Sequence, residues 1–178
     1  MPQAVTHFII SVILLELFRE FFIKKKKSFP IHYLFIGGLA GLLPDLDIAV
    51  YYFLSFFGFT IQEVHRTFSH NLFVPLIFVF LGLFFWKFKD KELGEHHLKL
   101  KNIFFVISFG IFIHLLLDMT ISGMIIPFYP FSNKAVGMNL ISFLPNPWQS
   151  TILPTLDAIL LILWMIYLEV KHKISNFI

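Results

Sequence analysis

The sequence predicts an all-α membrane protein, a helix bundle that crosses the bilayer about five times. Hydrophobic residues make up 57% of its 178 residues, and Phe alone occurs 25 times. Charged residues make up only 14%, against about 25% in a typical soluble domain. The apolar segments are long enough to cross a membrane, and we expect residues 1–178 to form one domain. There is no cysteine, which excludes disulfide bonds and thiolate metal sites.

Five apolar segments are the predicted spans: residues 3–23, 30–43, 72–86, 102–126 and 151–170. The strongly apolar segment that follows Asp47 is predicted to be an interfacial or re-entrant helix. Ser69 precedes the third span and is expected to cap it, because a serine oxygen can accept the first free amide hydrogens of a helix. The aromatic and proline-rich residues 127–150 are expected to form an interfacial lid.

Lysine-rich segments predict how the spans are oriented. They lie at residues 24–27, 87–101 and 171–173, where the first, third and fifth spans end. The positive-inside rule places such segments in the cytoplasm. We therefore expect a multi-pass protein of the cell (plasma or inner) membrane, with its N-terminus outside and its C-terminus in the cytoplasm. Membrane topology accounts for the basic charge, and no nucleic-acid partner is expected.

Seven ionisable residues then fall at one depth, toward the outer face. Among them, His114 and Asp118 are spaced to lie one turn apart on one helix face. Ionisable groups in a membrane segment are costly without partners, and this mixture of ligands suits Zn²⁺, Mn²⁺ or Fe. We expect one or two divalent ions, preferably zinc, bound by His7, Asp45, Asp47, His65, His70, His114 and Asp118. The choice between the two neighbouring aspartates, and between the two loop histidines, stays open.

Such a site suits hydrolysis of a phosphoester or phospholipid at the outer membrane face, because two metal ions can stabilise the attacking and the leaving oxygen together. Arg66 is predicted to bind a phosphate oxygen, and His70 and Asp47 are the other predicted catalytic residues. Three histidines fall on the cytoplasmic side and are not expected in the site: His96, His97 and His172. Two alternatives are an ion or metal transporter and a non-catalytic membrane protein that a metal stabilises.

Four motifs carry a family resemblance over roughly residues 1 to 135. They are Thr6-His7, the LPDLD of residues 43–47, the HRTFSH of residues 65–70 and the HLLLDMTISG of residues 114–123. In this order and spacing, the sequence resembles the YdjM-like family of LexA-regulated, membrane-bound, metal-dependent hydrolases. The resemblance implies a metal-dependent hydrolytic activity in the membrane.

A more distant similarity is to zinc-dependent phospholipase C and its related nucleases, whose all-helical fold uses a His-x3-Asp motif like that of His114 and Asp118. It implies that Asp118 bridges two metal ions and that His7 helps to hold the second. The first ion would take His114 together with one residue from each of the pairs Asp45/Asp47 and His65/His70. Nothing after Asp118 repeats such a ligand set, so a third ion is not expected.

Overall fold

The computed structural model describes residues 4–65, 68–87, 92–94 and 98–173, which are mostly helical, as the sequence predicts. The helices are α1 Ala4–Phe22, α2 His32–Ala40, α3 Asp47–Ser55, α4 Ile61–Val64, α5 Phe73–Trp86, α6 Leu100–Leu117 and α7 Asn146–His172. Short 3-10 turns lie at Lys26–Ser28, Pro44–Leu46 and Leu140–Phe143. Two short antiparallel strands precede α6: β1 Glu92–Leu93 and β2 Leu98–Lys99.

The packed part of the bundle is formed by α1, α2, α5 and α6. Helix α2 packs against both α1 and α6, α5 packs along α6, and α7 packs along α1. The buried core between the first, second and sixth helices contains Val12, Leu15, Phe29, Tyr33, Leu34 and Val106. Large apolar side chains are exposed on the outside of α3, α5 and α7, which is the surface expected of helices that face lipid.

Glycines allow α2 and α6 to approach closely. A Cβ atom added to Gly110 would lie 2.2 Å from the carbonyl oxygen of Gly37 and 2.9 Å from the Cβ of Ala40. Small residues at such contacts are typical of helices that pack inside a membrane. The close contact also matters for function, because His114 lies one turn beyond Gly110 on α6 and is thereby brought against the end of α2.

Among the described residues, two helices are long and apolar enough to cross a membrane: Leu100–Ile121 and Asn146–Lys171. The pair His32–Ala40 and Pro44–Ser55 makes a third candidate, bent by 46° at its break, which fits the interfacial or re-entrant helix expected after Asp47. The count of five spans is not confirmed. Helix α1 carries three charged residues, and α5, with 14 residues, is about 21 Å long, shorter than a hydrocarbon core of about 30 Å.

Two helix boundaries differ from the predicted ones: the start of α7 and the end of α6. Helix α7 begins at Asn146, five residues early, so the connection before it is shorter than predicted. Helix α6 widens into a π-type turn at Asp118–Ser122 and stops there, because Gly123 is extended and Ile125 pairs with Val136 through backbone hydrogen bonds. The connecting loop is therefore tied back to the bundle just after Asp118.

We expect Gly110→Ala to lower the free energy of unfolding by about 1–3 kcal/mol, the usual cost of overpacking a tight contact. Its Cβ would meet backbone atoms of α2, which cannot move without separating the helices. Gly82→Ala is the matched control, because the three atoms nearest to its Cβ would all belong to the Phe105 ring, at 3.0–3.1 Å, and a ring can shift. Thermal unfolding in detergent measures the stability of both variants. Equal losses of stability would contradict the importance of the α2–α6 contact.

Candidate metal centre

Five of the seven predicted residues meet where α1 begins and α6 ends. The Nε2 atoms of His70 and His114 are 3.1 Å apart. One oxygen of Asp45 lies 3.6 Å from each of them, and one oxygen of Asp118 lies 3.5 and 3.7 Å from them. The other oxygen of Asp118 lies 3.6 Å from Nε2 of His7. All three histidines are 0% exposed, so four separate chain segments build one buried cluster.

His7 has no hydrogen-bond partner for either ring nitrogen among the described residues. Its ring stacks on that of His114, with centroids 3.8 Å apart and planes inclined by 22°. A buried polar group without a partner is costly, and nearly all such groups in folded proteins are satisfied. His7 is therefore a candidate metal ligand, with its Nε2 on the side where Asp118 lies.

His114 is held in a fixed orientation by the backbone. Its Nδ1 atom lies 2.7 Å from the carbonyl oxygen of Gly41, so Nδ1 carries the hydrogen and donates it; this tautomer is assigned from the hydrogen-bond partner. The lone pair of Nε2 then points at the cluster. His70 directs its own Nε2 to the same point, with the two nitrogen atoms 3.1 Å apart. Their lone pairs would repel each other unless a proton or a metal ion lies between them.

Asp47 orients the two histidines of the loop. Its Oδ1 lies 2.7 Å from Nδ1 of His65, and its Oδ2 accepts a hydrogen bond of 2.6 Å from the Ser69 hydroxyl and lies 3.2 Å from Nδ1 of His70. Carboxylates behind metal-binding histidines commonly fix the ring orientation in this way. The expectation that Ser69 caps α5 is wrong, because Asn71 caps it by accepting the amide hydrogens that follow.

The carboxylates next to His70 favour a positive charge on its imidazole. Burial lowers the pKa of His70, but the carboxylates of Asp45 and Asp47 outweigh burial and raise this pKa above its ordinary value. The negative groups around the imidazole would stabilise a metal cation for the same electrostatic reason. A site that pairs acidic side chains with buried imidazoles is thus suited to a divalent cation.

The spacing of the donor atoms fits a metal ion. Zinc–nitrogen bonds of 2.0–2.1 Å in a tetrahedron place ligand atoms about 3.3 Å apart, close to the separations observed here. Three groups have ligand atoms that all lie within 4.8 Å of one another: His7/Asp45/His114, Asp45/His65/His70 and His70/His114/Asp118. Of the two neighbouring aspartates, Asp45 belongs to two of these groups and Asp47 to none.

Some predicted residues cannot be placed, and one residue without a predicted role contributes. Arg66 lies outside the described residues, as do His96 and His97, and the side chain of His172 is not described either. Asp157 of α7 accepts hydrogen bonds from the amide (3.0 Å) and the hydroxyl of Thr6, the neighbour of His7. The one sign of this role in the sequence is that Asp157 is a single acidic residue within an apolar segment.

An apolar groove of about 450 Å³ opens beside the cluster. Asp47 and Ser69 form its polar side. The rest of its lining is supplied by α3, by α5 and by the loops around α4, with Leu46, Val50, Leu54, Phe59, Phe68 and Val74 among the contributing side chains. The groove therefore connects an apolar, open surface with the carboxylate that orients both loop histidines.

Comparison with known proteins identifies the family of the chain. No curated protein and no solved structure matches it. The family model described as YdjM inner membrane protein matches residues 1–174, nearly the whole sequence. The resemblance to the YdjM-like family is confirmed, whereas the more distant similarity to phospholipase C remains a hypothesis. This chain belongs to the YdjM inner membrane protein family.

Proposed function

We propose that the chain is a metal-dependent hydrolase of the membrane that cleaves a phosphoester in a lipid-like substrate. The observation that carries the proposal is the convergence of three buried imidazoles and two carboxylates, at the spacing of metal ligands, around a histidine whose ring nitrogens have no hydrogen-bond partner among the described residues. The proposed ligands of one or two divalent ions are His7, Asp45, His70, His114 and Asp118. Zinc suits this set, with manganese or iron as alternatives.

The cluster is closed on most sides and open on one, which supports catalysis over a purely structural metal. The side chains of His70, His114 and Asp118 are 0–1% exposed, whereas that of Asp45 is 26% exposed. Structural zinc sites are closed, and catalytic ones keep a position for water or substrate. The two oxygens of Asp118 face different histidines, an arrangement that suits the proposed bridging of two ions.

The protein groups around the opening have distinct proposed roles. When bound, a zinc ion lowers the pKa of a coordinated water to about 7 and polarises a phosphoryl oxygen. His65 is oriented by Asp47, and its Nε2 has no hydrogen-bond partner among the described residues, so we assign to it proton transfer to or from the substrate. Arg66 keeps its proposed role in binding a phosphate oxygen, on the chemistry of its guanidinium group alone.

The arrangement of the helices supports the proposed topology. Helix α1 runs from His7 in the cluster toward the lysines at 24–27, and α6 runs from Lys101 back to Asp118. The cluster therefore lies at the opposite end of the bundle from the lysines at 24–27 and from Lys101. With the lysines in the cytoplasm, the cluster faces the outer side, as proposed for five spans with an outer N-terminus and a cytoplasmic C-terminus.

The groove beside Asp47 supports a lipid-like substrate over a small soluble phosphoester. Part of its lining comes from α3, whose Val50 and Phe53 are exposed, and the groove ends at the residues that orient His65 and His70. An acyl chain in this groove would place a polar head beside the open side of the cluster. Apolar pockets with a few converging polar groups are the usual form of ligand sites.

Purified protein is expected to contain a stoichiometric divalent metal, and His114→Ala is expected to lose it. The variant removes a buried imidazole that faces three other proposed ligands, and the usual loss for removing a ligand exceeds the 10–100-fold seen for outer residues. Elemental analysis by mass spectrometry measures the content. His32→Ala, at the opposite end of the bundle, is the matched control and should keep its metal. Metal-free wild-type protein that cannot be loaded would contradict the proposal.

Asp47→Asn is expected to weaken the site without abolishing it. The amide cannot accept hydrogen bonds from both histidines as the carboxylate does, so we expect metal affinity or kcat/KM to fall by about 10–100-fold. Asp118→Asn removes a proposed ligand and should reduce metal affinity and kcat/KM further. The assay is hydrolysis of bis(p-nitrophenyl) phosphate by metal-loaded protein, with a chelator as the blank. Metal binding without any hydrolysis would support the non-catalytic alternative.

Leu54→Trp is expected to lower activity on a lipid-like substrate but not on a soluble one. The larger side chain fills the groove, and overfilling an apolar site costs about 1–3 kcal/mol, or roughly thirtyfold in kcat/KM at the middle of that range. We expect this loss with a phospholipid in mixed micelles and little change with bis(p-nitrophenyl) phosphate. Ile162→Trp, on the exposed outer face of α7, is the control. Equal losses on both substrates would argue against the groove as the site of the apolar chain.

A further inference from the structure

A second groove lies at the other end of the bundle, between the later part of α1 and the first turns of α6. Its volume is about 540 Å³, larger than that of the groove beside Asp47. The inner part is apolar, and the rim is polar, formed by Ser28, Lys99, Lys101 and Asn102. No residue of its described lining is acidic.

The floor of this groove depends on a glycine of α2. A Cβ atom added to Gly37 would lie 2.1 Å from Cδ1 of Leu15 and 3.0 Å from Cγ1 of Val106. The absence of a side chain lets these two residues, one from α1 and one from α6, meet above α2. Both are buried and line the groove, which makes its floor apolar and rigid.

The walls lead from the apolar floor to a cationic rim. Lys101, Phe105 and Phe109 recur every four residues on α6, so they lie along one face of the helix over a length of about 12 Å. Phe18 lines the opposite wall from α1 and is 43% exposed. A ligand with a long apolar chain and a polar head would therefore place the chain on the apolar floor and the head at the cationic rim.

The rim has the character of a membrane–water interface. The Lys101 ammonium lies 5.2 Å from the centroid of the Trp86 ring, and tryptophan is enriched at the level of lipid headgroups. Glu92 pairs with Lys99 across the short strands. The four lysines at 24–27 lie in the turn that closes this end of the groove, where Phe29 and Ser28 line it. Among the described residues around the rim, positive charge exceeds negative charge.

We infer that this groove binds one anionic phospholipid, with an acyl chain on the floor formed by Leu15 and Val106 and the phosphate at Lys99 and Lys101. Charge complementarity selects the occupant: each lysine near a bilayer surface contributes about fivefold in affinity for anionic lipid. A zwitterionic lipid carries its own cation at the rim, and a soluble phosphate has no chain for the apolar floor. Basic pockets between helices are known to bind anionic headgroups.

This site is separate from the proposed metal centre. Lys101 and Asp118 are 17 residues apart on one helix, which is about 25 Å. The inference does not rest on the proposed hydrolase activity, and a bound lipid here would act on the packing of α1 against α6.

The test measures lipid binding to delipidated full-length protein in detergent by native mass spectrometry, beside thermal unfolding. Phosphatidylglycerol is expected to bind with a stoichiometry of one, at least about tenfold more tightly than phosphatidylcholine, and to raise the unfolding temperature. Glycerol 3-phosphate is the soluble probe and should produce neither effect. Equal binding of the two lipids, or binding of the soluble probe, would overturn the inference.

The double variant Lys99→Gln/Lys101→Gln is expected to lose the preference for phosphatidylglycerol, by roughly 10- to 30-fold for two lysines. Lys134→Gln changes an exposed lysine of the loop before α7 and should bind as the wild type does. Unfolding without lipid shows whether the double variant is folded. A folded double variant that keeps the full preference overturns the inference; if it does not fold, Lys101→Gln alone is expected to lose about fivefold and decides the question.

Discussion

The close packing of α2 on α6 is the contact on which the structure of the site depends. Gly110 touches the backbone of α2 so closely that a single added carbon would collide with it. His114 lies one turn after Gly110 on α6, and the Gly41 carbonyl accepts its Nδ1 hydrogen. This hydrogen bond directs Nε2 of His114 into the cluster. Glycine serves two purposes here, because it permits the approach of the helices and leaves a backbone carbonyl accessible as an acceptor.

A second constraint is electrostatic. The cluster gathers carboxylates and imidazoles in a largely buried part of the molecule, where unpaired charge is costly. Asp47 reduces that cost by holding His65 and His70 through its two oxygens, and the Gly41 carbonyl holds His114. His7 has no such partner among the described residues. The proposed divalent cation would satisfy His7 and the lone pairs of the other two buried histidines at once.

Much of the architecture could be predicted from hydrophobic patterning. The ends of α1 and α5 lie within one residue of the predicted ones, because apolar segments bounded by lysines leave few alternatives. The predicted count of five spans is not confirmed, since Glu16, Arg19 and Glu20 in α1 and the short length of α5 depart from an ideal span. The end of α6 was also predicted too late, because the pairing of Ile125 with Val136 is a long-range contact that no local pattern reveals.

The sequence by itself determined which residues could take part in the site: histidines and aspartates in apolar surroundings have no inexpensive role other than mutual contact or ion binding. Only the tertiary structure decided their arrangement. Asp45 and Asp47 are chemically identical and two residues apart, yet the bend before α3 turns one toward the cluster and the other toward the loop histidines. Asp157 acquires its role only because α7 packs on α1. Ligand geometry depends on distances between segments far apart in the chain, and residue spacing does not encode those distances.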